Sequence, residues 1–310
     1  MADTVSTGGS LSDAVTFKLK KETIPILRTQ LVYAQFGQDG KILPGTDTLR
    51  FVKKPDLAAD TTYLADEVTN PTPEALPAIT KVDITTKEIG RVVSISRRAG
   101  NISPLELVDW AKDTLAFDAA RRIDYEVKEK LKAGGTEMWS SDSTATANVD
   151  TTLAASDVRR ALIKLQSLNH NTSGVITAVT HPFVIGDLMA ETTNPGGWLA
   201  VHQYSGQPEG IYNGEVGRIY NTRFMTTTNA LMEADAGSAS ADVYTTMFNL
   251  NPWAFGKANI EDLRFTAVPP TPDHADALGR RWLLGYYMDF GAGVIADDQY
   301  LRMESTATAV

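Results

Sequence analysis

Cysteine is absent from the 310-residue chain, which removes disulfides, thiolate zinc sites, iron–sulfur clusters and cysteine nucleophiles together. Stability must come from packing or from assembly. Positive charge is also in short supply: 29 Lys and Arg against 38 Asp and Glu leave a net charge of −9, the opposite of the basic footprint of a dedicated nucleic-acid reader. Long apolar runs are missing. The most apolar stretch, 282–296, is interrupted by Asp289 and falls short of the roughly 20 residues that a spanning helix needs. The first ten residues, Met1 to Ser10, carry neither the positive region nor the apolar run of a secretory signal, so the expectation is a protein made and kept in the cytoplasm, away from membranes.

Chemistry is equally sparse. The four histidines, His170, His181, His202 and His274, form no His-Glu-x-x-His and no pair one helical turn apart, which leaves no basis for a metal centre. No Gly-x-Ser-x-Gly elbow is present. Gly291-Ala292-Gly293-Val294-Ile295-Ala296 fits a loose dinucleotide pattern after an apolar strand, but no helix-forming run follows it. Glycines at bends or bulges between terminal strands, at Gly285, Gly291 and Gly293, are the expected reading. Glu106, Asp109 and Asp113 share one helix face and would suit a divalent cation, yet acidic residues near a helix N-terminus are favoured by the macrodipole alone. Lys18, Lys20, Lys21, Arg97 and Arg98 are candidates for loose phosphate contact only. No catalytic, cofactor or metal residue is therefore expected.

What is present is an ordinary globular composition, 43% hydrophobic and 22% charged, on a chain long enough for one or two compact units. Residues 1–40 are polar at first and then weakly amphipathic around Pro25, which predicts an extended arm with short helical pieces and no core of its own. Alternation and β-branching predict strands at 48–53, 81–85 and 91–96. The first two are joined by a long connection stiffened by Pro55, Pro71, Pro73 and Pro77, which predicts a two-stranded hairpin projecting from the body. Its few apolar residues, Tyr63, Leu64, Val68 and Leu76, have nothing local to cover them and are the candidate assembly contacts.

Ser103-Pro104-Leu105-Glu106 has the form of a capping box with proline at the first helical position. Apolar residues follow at Leu105, Val108, Ala111, Leu115, Ala119, Ile123, Val127 and Leu131, and Gly134-Gly135 closes the element. A spine helix over 104–133, about 45 Å long, is predicted. Its basic end, with Arg121, Arg122, Lys128, Lys130 and Lys132, reads as dipole matching first and partner contact second. Ser156-Asp157 is expected to cap a second helix over 158–168, with Val158, Leu162 and Leu165 inward. A β/α alternation follows: strands at 175–179, 223–228 and 243–250, and a short helix over 182–189. The stretches 280–288, 294–295 and 300–303 are expected to pair as terminal strands.

This order, with Gly214-Glu215-Val216-Gly217-Arg218-Ile219 running into Arg223-Phe224 and Asp276-Ala277-Leu278-Gly279-Arg280-Arg281 ahead of an aromatic strand, resembles the major capsid proteins of tailed double-stranded DNA bacteriophages. Among these it is most similar to the N-four-type family, and the resemblance covers roughly residues 10–305. It implies an α+β, Hong Kong 97-type fold: an N-terminal arm at 1–40, an extended loop at 41–98, a peripheral domain at 99–170 and 255–310, and an axial domain at 171–254. It implies a structural, non-enzymatic protein without cofactor that self-assembles into hexamers and pentamers of an icosahedral head. The implied partners are other copies of the chain, a portal, scaffold or decoration proteins, and packaged double-stranded DNA held by loose contact; the implied location is the virion, after assembly in the host bacterial cytoplasm. An encapsulin-type compartment shell shares the fold, but would be expected to begin with a cargo-docking helix, whereas 1–16 read as extended. A soluble α/β enzyme is supported by the Gly291 loop alone.

Overall fold

The computed structural model describes residues 31–42, 45–58, 74–102, 106–168, 176–191, 198–200, 215–272 and 277–308. In chain order the elements are β1 (Gln38–Lys41), β2 (Thr48–Lys53), β3 (Thr80–Thr85), β4 (Lys87–Ser96), α1 (Arg97–Ile102), α2 (Leu107–Lys132), β5 (Thr136–Trp139), α3 (Ala155–Ser167) and β6 (Ile176–Thr180). They continue with α4 (Pro182–Ala190), β7 (Trp198–Ala200), β8 (Glu215–Ile219), β9 (Thr222–Thr226), β10 (Met232–Glu233), β11 (Val243–Phe248), β12 (Phe255–Asn259), β13 (Arg264–Val268), β14 (Arg281–Val294) and β15 (Leu301–Ser305).

Among the described residues the strands form three sheets. The first is built around the 14-residue β14: β4 pairs antiparallel along one edge from Arg281↔Ser96 to Phe290↔Lys87, while β13 and β12 share the other edge and β1 adds to β12 in parallel. The second runs β5-β15-β11-β6-β9-β8-β7, with β10 on β11. The third is β2 with β3, in register from Thr48↔Thr85 to Lys53↔Thr80.

The spine helix α2 has 26 residues and spans about 39 Å at 1.5 Å per residue. Its first half lays Ala111, Leu115 and Ala119 on Leu284, Tyr286 and Met288 of β14; these are alternate strand residues, as the period of two requires. Asp118 bolts the contact by accepting from Arg91 of β4 and Tyr286 of β14, each at 2.9 Å. The second half sends Val127 and Leu131 into a cluster shared by both large sheets, with Val179, Met225 and Met247 from one and Phe255, Phe290 and Ala292 from the other. The helix ends where expected. Gly135 has φ +86, and a Cβ there would lie 2.6 Å from the Tyr300 ring, so glycine is required both by conformation and by space. Behind the second sheet, Val158, Ala161 and Leu165 of α3 and Val184, Ile185 and Leu188 of α4 bury against Phe224, Phe248 and Met303.

The strands at 48–53, 81–85 and 91–96 and the helix at 182–189 stand within two residues or so of their predicted bounds, β4 excepted, which starts earlier, at Lys87. Several expectations change. The helix opens at Leu107, after Glu106; Ser103, Pro104 and Leu105, which carry most of the capping box, lie outside the described residues. The second helix starts at Ala155, and Asp157 acts from inside the first turn, with its Oδ2 accepting the Ala154 N–H at 3.2 Å. The terminal strands do not pair with each other: β14 belongs to the first sheet and β15 to the second, between β5 and β11. Gly285, Gly291 and Gly293 are not bends or bulges, because they sit in continuous register within β14.

Part of the expected coreless arm joins the core: Val32 and Tyr33 are fully buried and Phe36 packs with them, while Gln35 and Asp39 stay exposed. The sheets also cut across the expected domain limits, since β5 and β15 stand beside β11 and β6.

Leu131→Ala should cost about 2–5 kcal/mol of stability in urea unfolding, because it empties a fully buried site between two sheets. Val92→Ala, on the exposed face of β4, should change it by less than about 0.5 kcal/mol.

Candidate assembly surfaces

The β2–β3 hairpin has a docked base and an exposed continuation. Leu49, Phe51 and Ile84 pack with Ala258 of the first sheet and with Ile42 and Ile260 just past the ends of β1 and β12. The outward face carries a two-pronged ion pair, Arg50 Nε and Nη2 to Asp83 at 2.6 and 2.8 Å. That guanidinium holds the Asp83 carboxyl below its ordinary pKa. Past the paired strands the apolar side chains face solvent: Leu57 and Ile79 are exposed, and Leu76 is 84% exposed. Of the four candidate contacts only Leu76 can be placed; Tyr63, Leu64 and Val68 lie outside the described residues.

A groove of about 450 Å³ separates the first half of α2 from β13, lined by Leu115, Ala116, Phe265, Ala267 and Leu284 with Lys112 and Asp113 at its rim. All five residues of β13 are exposed, and among the described residues the strand pairs along one edge only, with β14. An unpaired edge beside apolar surface is the usual template for a second chain.

The segment around Ala34 is clamped by charge. The Ala34 N–H donates to Asp124 Oδ1 at 3.0 Å, and Lys257 Nζ donates to the Ala34 carbonyl at 2.6 Å. Asp124 is fully buried on the inward face of α2, where its other oxygen accepts from Asn229 Nδ2 at 3.0 Å. Lys128, one turn on, donates to the Asn229 carbonyl and Oδ1 at 3.2 and 3.1 Å. One carboxylate therefore joins the Ala34 segment, the spine and the loop after β9. Burial raises the Asp124 pKa, and the hydrogen bonds from Ala34 and Asn229 oppose that shift. Sequence reasoning passed over Asp124; the available signal was its position three residues before Val127 on the apolar stripe.

The Glu215–Ile219 segment and Arg223-Phe224 form the β8–β9 hairpin, turned at Tyr220 with φ 51; Gly214 lies outside the described residues. Glu215 has a fully buried side chain paired to Arg223 Nε at 3.6 Å, while Phe224 meets Phe248 edge-on. These residues build the second sheet. His181 Nδ1 accepts the Phe183 N–H at the start of α4, and burial lowers its pKa; its role is a helix cap. Asp109 pairs with Lys112 at 2.9 Å, and Asp113 faces the groove. Arg97 and Arg98 are exposed at the start of α1, whereas Lys18, Lys20, Lys21, His170, His202 and His274 fall outside the described residues.

The sequence matches no protein-family model and no curated protein. Solved structures resemble the chain over nearly its whole length. The capsid of Ralstonia phage GP4 is 16% identical with a TM-score of 0.75, covering 99% of each chain. The capsid of cyanophage Pam1 is 14% identical with a TM-score of 0.69, covering 99% of this chain and 100% of that one. The capsid of a native GTA particle is 15% identical with a TM-score of 0.65, covering 96% and 99%. The chain has the α+β, Hong Kong 97-type fold of these subunits.

Asp124→Ala leaves the half-buried Ala34 N–H and Asn229 amide without their acceptor and should cost about 1–3 kcal/mol in urea unfolding. The pH dependence has a definite sign. A carboxyl with a raised folded pKa binds its proton more tightly in the folded state, so this group adds stability as pH falls through that value. The stability of the parent relative to Asp124→Asn should therefore rise between neutral pH and about pH 4, as read from paired denaturation curves.

Proposed function

We propose that this chain is the major capsid protein of a tailed double-stranded DNA bacteriophage, a structural subunit that self-assembles into the hexamers and pentamers of an icosahedral head. The observation that carries this reading is the likeness of the whole chain, 99% of it in the Ralstonia phage GP4 comparison, to subunits that are themselves parts of capsids. The exposed apolar side chains of the hairpin and the open edge of β13 support it, since both gain cover when copies overlap. Shells of this kind gain their stability from many modest contacts. The role is structural rather than catalytic.

In this reading residues 1–40 are the arm, 41–98 the extended loop, 99–170 with 255–310 the peripheral domain and 171–254 the axial domain. The sheet membership of β5 and β15 supports a wider axial domain, extended to 136–139 and 301–305. The burial of Val32 and Tyr33 supports a free arm that stops near residue 30. Other copies of the chain are the main partner; a portal, scaffold or decoration proteins and loosely held DNA complete the set. Assembly takes place in the host bacterial cytoplasm and the product resides in the virion. Tyr63, Leu64, Val68 and Leu76 are assembly contacts on a neighbouring subunit.

Electron microscopy and sedimentation of the purified protein should reveal closed particles or capsomers; a strict monomer across salt and concentration would overturn the reading. Deleting residues 1–30, which spares the buried root, should leave folded subunits that fail to close. Replacing Tyr63, Leu64 and Leu76 together by Ser should leave the melting of disassembled subunits within about 0.5 kcal/mol of the parent while particle yield falls. Equal losses in both would place these residues in the subunit core.

A further inference from the structure

The glycines of β14 have a use that the family resemblance does not assign. Across β1, β12 and β14 two rows of residues face the hairpin: Gly40–Ala258–Gly291 and Gln38–Gly256–Gly293. A Cβ on Gly256 would lie 2.7 Å from the Phe51 ring, one on Gly293 2.8 Å from Ile84, and one on Gly291 2.6 Å from the Thr85 carbonyl. These separations are shorter than van der Waals contact, so each missing side chain is occupied by the hairpin itself. The opposite face of the same strands holds Phe255, Phe290 and Ala292 in the central cluster. Phe255 and Phe290 thus point one way and the glycines and Ala258 of β12 and β14 the other, along strands that could have carried bulk on both faces.

We infer that this glycine floor is a seat which fixes the direction of the hairpin and, through it, the shell geometry that the subunits can form. Phe51 and Ile84 lie over the two central glycines, and the base is tied by Thr86, whose N–H and hydroxyl both reach the Asp47 carbonyl at 3.0 and 3.2 Å. Lys53 pairs with Asp298 at 3.4 Å on the far side of the seat. Close-packed interiors transmit displacements rather than absorb them. Leu76 is eight residues beyond Ile84, up to roughly 26 Å away at 3.3 Å per residue. A tilt of about 10° at the seat would move it by about 4–5 Å, more than one side-chain contact tolerates. The seat itself stands on subunit geometry alone; its effect on shell geometry rests on the capsid reading.

The test separates the two. Gly293→Val and Gly256→Ala are made in the full chain beside Ile84→Ala, which empties the seat from the hairpin side and leaves the sheet intact. Amide exchange in unassembled subunits should be at least about tenfold faster in 48–53 and 80–85 for each variant, with protection of α2 unchanged. Particle diameter by electron microscopy should shift or become heterogeneous. Should Gly293→Val fail to fold, Gly256→Ala and Ile84→Ala carry both readouts. Hairpin exchange equal to the parent in these variants overturns the seat. Faster exchange with particles of parental size and yield overturns the link to shell geometry. A parent that never assembles defeats the capsid reading, while the exchange result still decides the seat.

Discussion

The burial of the second half of α2 between the two large sheets is the constraint on which the rest of the subunit depends. Val127 and Leu131 are fully buried there with Tyr300, Phe255 and Met247, each such side chain contributing about 1.5–3 kcal/mol through removal from water. Residues of both sheets meet around the helix in one cluster. Tyr300 secures the joint by donating its hydroxyl to the Leu131 carbonyl at 2.9 Å, one of the carbonyls that a helix end leaves without a partner. The helix terminus, the final strand and the junction are therefore one structure.

The two appendages of the fold are attached to opposite faces of β12. Phe255 packs in the central cluster and Lys257 holds the Ala34 segment at the Ala34 carbonyl and at Asp39, while Gly256 and Ala258 receive the hairpin. The alternation of a β-strand alone assigns these faces. One attachment is polar and half-buried and the other is apolar and close-packed. Polar atoms held by charged groups fix position through directional bonds, whereas a floor without side chains fixes it by excluding alternatives.

Asp118, Asp124, Asp157, Glu215 and Glu304 are all carboxylates that join separate elements: Asp118 links α2 to β4 and β14, Asp157 accepts from the Ser141 and Ala154 N–H groups, and Glu304 accepts from Trp139 and Thr146. Arg302, buried on β15, pairs with Glu137 of β5. Buried charges require partners, and most of these partners lie on a different element; Asp157 also pairs with Arg160 of its own helix. In a chain without disulfides they supply directional ties that apolar packing lacks.

Local order determined a great deal by itself. The strands at 48–53 and 81–85, the long apolar stripe from Val108 to Leu131, the glycine stop at 134–135 and the helix opened by Pro182 all follow from periodicity and backbone preference within short windows. The proline-rich connection fixed the hairpin reading for the same reason. What only the tertiary structure decided is pairing across distance. Whether β15 joins β14 or β11, whether Val32 and Tyr33 are arm or core, and whether Gly291 and Gly293 bend a strand or seat a hairpin depend on residues far away along the chain. Asp124 belongs to the same class: on a helix it reads as one more surface acid, and it becomes a buried clamp once Ala34 and Asn229 arrive at it. Sequence periodicity reports which face of an element is apolar; it carries no record of what comes to cover that face.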